Sequence, residues 1–320
     1  MRLGIDVMGG DNAPKATVAG AVLARNALNT NDRIVLVGDR AQILQELDSL
    51  HVSAELFDIV HAPDVIGMDE SPTRAFTAKP DASITVGFRM LLEKTIDAFS
   101  SAGNSGAMLV GSIYSVNTIQ GIIRPATSTV LPREDGGVNF LLDVGTNPDV
   151  RPDVMYQFAI LGSALASTVY HVDNPRVGLL NIGHEDKKGS LLVQSVFQLM
   201  KDSRDFNFIG NIEGRDIFRN KADVIVCDGF TGNVVLKEAE AIYRIMMKRG
   251  IRDEYFDRFN YESYGGTPML GINAPVVIGH GISNDVAIKN MILLSGDICK
   301  SSMIKQIRET VHAYMNGPEL

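Results

Sequence analysis

The sequence predicts an α/β protein in which a mainly parallel sheet is covered by helices on both faces. Three observations predict it. Short runs rich in Val and Ile alternate with longer stretches of helical spacing along the whole chain. Gly, Ser and Asn collect where those runs give way to helices. The 320 residues are 45% hydrophobic and 21% charged, ordinary for a chain that buries a sizeable core. These features fit a three-layer α/β/α, Rossmann-like arrangement.

Along the chain, RLGIDV (2–7) reads as the first strand and 15–28 as the helix that returns from it. RIVLV (33–37), the 41–50 helix and a strand at 55–61 repeat the unit, followed by a helix at 83–95 and a strand at 97–101. The second half continues with strands at 138–144, 176–182, 206–209, 224–227 and 275–279, and helices at 153–170 and 191–201. VMYQFAILGSALASTVY (154–170) carries no charge. At 17 residues, with Gln157, Ser163, Ser167 and Thr168 inside it, it reads as a core helix and not a bilayer span. No internal repeat, low-complexity tract or linker marks a boundary, so one domain over 1–320 is expected.

A net charge of −8 makes nucleic acid an unsuitable partner, and any basic site must be local. Cys227 and Cys299 form neither CxxC nor a zinc cluster and suit a reducing compartment. The six histidines make no HxH or HExxH pattern, so no protein-built metal site is expected. The chain enters an element directly at MRLGIDVMGG, without a signal peptide, and a soluble cytoplasmic protein is expected.

Open α/β sheets bind ligands beyond the carboxyl ends of their strands. Five junctions fall there: MGGDNAP (8–14), SAGNSGA (101–107), NIGHEDKKG (181–189), DGFTGN (228–233) and GHGISND (279–285). The first is neither GxGxxG nor GxxxxGK[ST]. Asn12 suits a cap and Pro14 a first turn, so it reads as a capped turn before it reads as a nucleotide loop. Asn104 and Ser105 stand where a helix N-terminus would receive a small oxyanion, although a capped turn is an equal reading. Thr231 and Asn233 suit holding an anion or polarising a carbonyl. His280 sits at a strand exit, with Ser283 or Asn284 capping a long helix. Only NIGHEDKKG presents ammonium groups. Lys187 and Lys188 are adjacent, so at most one faces a site and the other is solvated. The junctions share anion binding without a nucleotide motif. No Ser-His-Asp order, cysteine setting or carboxylate pair stands out, which favours a substrate that supplies its own nucleophile.

These stretches, with MDESP (68–72), GIIRPA (121–126), LLDVGTN (141–147), ADVIVCDGFTGNVVLK (222–237) and YGGTPMLGI (264–272), resemble one bacterial family over almost the whole chain. It is the family of phosphate acyltransferases of phospholipid synthesis. The resemblance implies a fold similar to phosphotransacetylases and isocitrate/isopropylmalate-type dehydrogenases, and a homodimer. It implies transfer of a fatty acyl group from acyl carrier protein to inorganic phosphate, with no cofactor. The acyl phosphate would then serve a membrane glycerol-3-phosphate acyltransferase at the inner membrane face. Carried over by motif, Lys188 and Asn233 correspond to the catalytic lysine and amide, and Asp6, Asn104, Ser105, Thr231, His280 and Ser283 to substrate-binding positions.

The chain departs from the family pattern twice. The basic run usual after the acidic MDE motif is reduced to Lys79 beside Pro80, so no phosphate or carrier contact is carried over from it. The helical hairpin at about 237–262 is shorter than usual. There Val235, Ala239, Ile242, Ile245 and Met246 form one apolar face, and Ile251, Tyr255 and Phe259 a second. Arg244, Lys248, Arg249 and Arg252 gather at the bend, a patch for an acidic carrier or anionic lipid, or the charged face of a dimer hairpin. Two other readings stand beside the acyltransferase: a relative using coenzyme A or a nicotinamide cofactor, and an inactive scaffold.

Overall fold

The computed structural model describes residues 1–316. The chain packs as two compact units, Met1–Asn117 with Tyr261–Lys300, and Thr118–Asn260 with the stretch that begins at Ser301.

The first unit opens with β1 (Arg2–Asp6), α1 (Lys15–Ala27), β2 (Arg33–Gly38), α2 (Arg40–Ser49) and β3 (Asp58–His61). The three strands pair in parallel, Asp6 level with Val37 and Gly38 with His61. After α3 (Pro72–Ala78) and α4 (Ser83–Leu92), β4 (Ala98–Ser101) joins β1 on its other side and leads into α5 (Ser105–Gly111). The winding therefore reverses between β1 and β4, the kind of switch point where open α/β sheets bind ligands. Helices cover both faces, so the strands read as near-continuous apolar runs: Leu3, Ile5, Ile34 to Val37, Ala98 and Phe99 are all buried. Phe88 of α4 meets Phe99 edge-on at 5.3 Å and Phe76 of α3 at 6.0 Å.

The second unit contains β5 (Ala126–Pro132), β6 (Val138–Leu142), α6 (Pro152–Thr168), β7 (Arg176–Asn181), α7 (Leu191–Met200), β8 (Asn207–Glu213), β9 (Val224–Val226), α8 (Gly229–Lys248) and α9 (Glu254–Asp257). Its strand order is β5-β6-β9-β7-β8. β5 and β6 are antiparallel and the other pairs parallel, so β9 lies between β6 and β7 and their exits adjoin. The uncharged stretch is α6, with twelve of its residues from Val154 to Ala166 buried. Gln157 is tolerated there because both ends of its amide are bonded: Oε1 accepts from the Ile123 N–H at 2.8 Å and Nε2 donates to the Gly121 carbonyl at 2.7 Å. No helix among the described residues is long and apolar enough to cross a membrane.

The chain returns to the first unit with β10 (Thr267–Leu270), antiparallel to β11 (Val276–Ile278), which lies parallel beside β4. α10 (Asp285–Lys300) packs on α1. The first unit's order is β3-β2-β1-β4-β11-β10. α11 (Met303–Asn316) closes the second unit against α6, with Ile307 and Val311 fully buried.

All nine expected strands are present. β5 and β10 are additional, and each contains a proline (Pro132, Pro268), the residue that argues against a strand in sequence. In the hairpin region α8 runs unbroken for 20 residues, whereas the second arm is a single helical turn after Gly250. There Tyr255, Phe256 and Phe259 cluster, and Phe259 meets Phe218 at 5.4 Å.

Candidate functional site

In the first unit, Asp6 ends β1 and is 1% exposed. Its carboxylate accepts from Ser101 Oγ at 2.6 Å and from the Met8 N–H at 3.0 Å. Burial pushes this carboxyl above the usual aspartate value, against the opposing hydrogen bonds. The glycines of MGGDNAP serve the same contact. A Cβ on Gly9 would lie 2.7 Å from the Gly103 nitrogen and 2.8 Å from Ser101 Oγ, so only glycine lets the β1 and β4 exits close on each other. Asn12 does not cap α1: its Nδ2 donates to the carbonyls of Ile282 and Ser283, each at 3.2 Å, while Pro14 occupies the cap position.

Asn104 caps α5 through the Ala107 N–H and spends both amide protons on the carbonyls of Gly67 and Glu70. Ser105 follows it, exposed at the head of α5. His280 and the buried Ser283 follow β11, joined by the Ser283 N–H to His280 carbonyl bond at 2.9 Å, and Asn284, not Ser283, receives the Ala287 N–H. Lys79 is bound to Glu70 at 2.6 Å and to the Val65 carbonyl at 2.8 Å, so it holds the MDESP loop. The first unit thus brings Asp6, Asn104, Ser105, His280 and Ser283 to its strand exits, with Asp6 and Asn104 committed to the loops themselves.

The second unit repeats the plan around an acid that site prediction from sequence passed over. Asp143 is fully buried just after β6. Oδ1 accepts from the Thr127 N–H and hydroxyl at 3.0 and 2.9 Å and from the Val144 N–H at 2.8 Å. Oδ2 accepts from the Asn147 N–H at 2.5 Å and its Nδ2 at 3.0 Å. The signal was legible in LLDVGTN, which like IDVMGG places an acid after an apolar run and before a glycine turn.

Against this loop lies the start of α8. A Cβ on Gly229 would stand 2.7 Å from the Asn147 carbonyl and from Asp143 Oδ2, and one on Gly232 would enter the Asp143 carbonyl. Those glycines serve close packing. Thr231 gives its hydroxyl proton to Asp228 Oδ2 at 2.7 Å, while Asp228 Oδ1 caps α8 by accepting the Thr231 N–H, so that hydroxyl proton is not offered to a ligand. Asn233, half-buried one residue past Gly232, uses one amide proton on the Val144 carbonyl at 3.2 Å and keeps the other. Cys227, at the end of the same strand run, is buried with Sγ 3.6 Å from the Asp143 carbonyl, and burial pushes its thiol well up.

Lys188 lies on the loop after β7. Asn181 Nδ2 donates to its carbonyl at 3.1 Å, and its N–H donates to Glu185 at 3.0 Å. Its ammonium is exposed, with no hydrogen-bond or ion-pair partner among the described residues. Lys188, Thr231 and Asn233 therefore share the carboxyl edge of one parallel strand set. Exposed apolar side chains flank them: Ile182 (81%) and Leu191 (82%) on the lysine loop, Phe230 (67%) and Val234 (46%) beside Asn233. Among the described residues no cluster of metal-ligating side chains forms.

A family model described as "Fatty acid synthesis protein" matches residues 1–306. The phosphate acyltransferase of Syntrophomonas wolfei is 41% identical over 310 residues, covering 95% of this chain and 97% of that protein. That of Desulfitobacterium hafniense is 39% identical over 340 residues and covers both chains completely. Among solved structures, a phosphotransacetylase from Streptococcus pyogenes superposes with a TM-score of 0.65 at 16% identity, over 93% of this chain and 94% of that one. The EutD phosphotransacetylase of Staphylococcus aureus gives 0.64 at 14% identity with the same coverage. These two likenesses bear on the fold alone, and it is the fold expected from the sequence. The family model spans nearly all of the sequence and the relatives align end to end, so the chain belongs to the phosphate acyltransferase family.

Proposed function

We propose that the protein transfers a long-chain fatty acyl group from acyl carrier protein to inorganic phosphate, giving acyl phosphate and the free carrier thiol. The observation that carries the reading lies in the second unit. Among the described residues an ammonium without a partner and an amide with one N–H not engaged stand at neighbouring strand exits among exposed apolar side chains. A phosphate oxygen attacks the thioester carbon, the carbonyl oxygen takes the charge, and collapse breaks the C–S bond. Lys188 neutralises charge on phosphate or on that oxygen, and Asn233 orients phosphate or donates to the oxygen through its remaining proton. The apolar rim receives the acyl chain.

The whole chain acts as one acyltransferase domain in a homodimer in the cytoplasm. Its product feeds phosphatidic acid synthesis by a membrane glycerol-3-phosphate acyltransferase, and the basic bend after α8 makes peripheral contact with the inner membrane face. The test is to incubate the protein with palmitoyl carrier protein and phosphate and trap the product with hydroxylamine. Phosphate-dependent hydroxamate is expected. Its absence, or its appearance only with palmitoyl-coenzyme A, overturns the reading.

A further inference from the structure

The loop that carries Lys188 is moored by a histidine that acyl transfer does not use. His184 Nδ1 lies 3.1 Å from the Asn211 carbonyl, and its Nε2 lies 3.2 Å from Glu213 Oε1 and 3.8 Å from Asp216 Oδ2. Lys221 Nζ reaches Asp216 Oδ2 at 3.1 Å and both ring nitrogens at 3.3 Å, and Arg215 backs Glu213 at 2.9 Å. A second tie runs through the backbone: Asn211 Nδ2 donates to the Glu185 carbonyl at 3.1 Å, the same oxygen that accepts the Lys188 N–H. The lysine peptide is thus bound to the end of β8 and the turn after it by one side chain and one shared carbonyl. Burial pushes the Asp216 carboxyl up, but the Glu213 N–H, Lys221 and the charges of Lys221 and His184 outweigh it and hold the group below its usual value.

The ring has two ways to use Nε2. With Nδ1–H given to Asn211, an unprotonated Nε2 accepts from the Lys221 ammonium, whereas a protonated one donates to Glu213. The groups facing the ring are Glu213, Asp216 and Lys221, with Arg215 behind Glu213; Glu185, Asp186 and Lys187 neighbour it on its own loop.

We propose that His184 is a positioning residue: its imidazolium, held by Glu213 and Asp216, fixes the loop and with it the place of the Lys188 ammonium. Loss of the proton transfers Nε2 to Lys221 and loosens the loop from Glu213. The inference rests on the reading of Lys188 as the residue that neutralises charge during transfer.

The test combines kcat against pH with hydrogen–deuterium exchange of residues 182–190, in wild type, His184→Ala, His184→Gln and Glu213→Gln. His184→Ala and Glu213→Gln are expected to lower kcat about tenfold, in keeping with a displaced catalytic group, and to speed exchange in the loop. KM for the acyl donor is expected to stay within about twofold, because ground-state binding is not what is lost. His184→Gln keeps a hydrogen bond but not a charge. It is expected to restore part of the loop protection and to remove from the kcat profile the part that depends on the imidazole proton. Unchanged exchange in His184→Ala, or a His184→Gln profile shaped like wild type, overturns the proposal. If wild type shows no phosphate-dependent transfer, it is the reading of Lys188 that fails, and the exchange rates still decide whether His184 moors the loop.

Discussion

At the scale of single residues, the second unit separates groups that are free to act from groups that hold them. Lys188 is exposed and its ammonium has no partner among the described residues, so Lys188→Ala should leave thermal stability nearly unchanged while removing its charge from the reaction. A loss of about 10²–10³ in kcat, the range for an oxyanion-hole donor, is expected in the hydroxamate assay. Asn233→Ala should behave alike in rate. Asp143 is the opposite case. Its two oxygens accept from Thr127, Val144 and Asn147, so Asp143→Asn turns an amide NH₂ toward groups that are themselves donors. A loss of roughly 1.5–3 kcal/mol in urea denaturation is expected, together with loss of activity.

At the scale of elements, α8 begins at a junction that the sequence marks, and the glycines there have a packing role. DGFTGN reads as a junction where Thr231 and Asn233 hold an anion or polarise a carbonyl, and its glycines, Gly229 and Gly232, admit the Asp143 loop. Gly232→Ala should therefore cost about 1–3 kcal/mol by overpacking, read as a shift in denaturation midpoint, although alanine is the better helix former. Strand positions and the carboxyl-edge location of the chemistry were legible, because buried parallel strands are apolar runs and polar turns follow them. β5 and β10 were not, since each contains a proline, which argues against a strand in sequence. Asp143 escaped for a different reason: its place between an apolar run and a glycine turn was legible, but its partners were not, since Thr127 lies 16 positions away.

At the scale of the whole molecule, the two-unit division was hidden because each unit is assembled from distant stretches. α11 is the clearest example: it closes the second unit from the far end of the chain, burying Met303, Ile307 and Val311. Deleting residues from 301 onward should lower Tm by more than about 10 °C, since each buried apolar side chain contributes roughly 1.5–3 kcal/mol.

The edge of the second unit opposite the chemistry carries charge pairing. Asp223 binds Arg176 at 2.9 Å and Arg133 at 3.2 Å. Desolvation pushes its carboxyl up, but the hydrogen bonds and charges of Arg176, with Arg133, outweigh it and leave it below the ordinary 3.8. The unfolded chain then takes the proton first. The stabilisation is complete above 3.8 and is lost as pH falls through the lower folded value. The Tm gap between wild type and Asp223→Asn should accordingly be widest near neutrality and close in acid.

The two cysteines give a further handle on this division, as reporters. Cys227 belongs to the second unit and Cys299 to the first. Cys227 is sealed beneath the Asp143 loop, and burial holds the Cys299 thiol up at about 12 with its sulfur 3.6 Å from the Asp97 carbonyl. A thiol reagent reaches the buried Cys227 only after local opening, whereas Cys299 is partly exposed. Labelling of Cys227 in the native protein thus times the breathing of the second unit, with Cys299 as the accessible reference and no probe introduced.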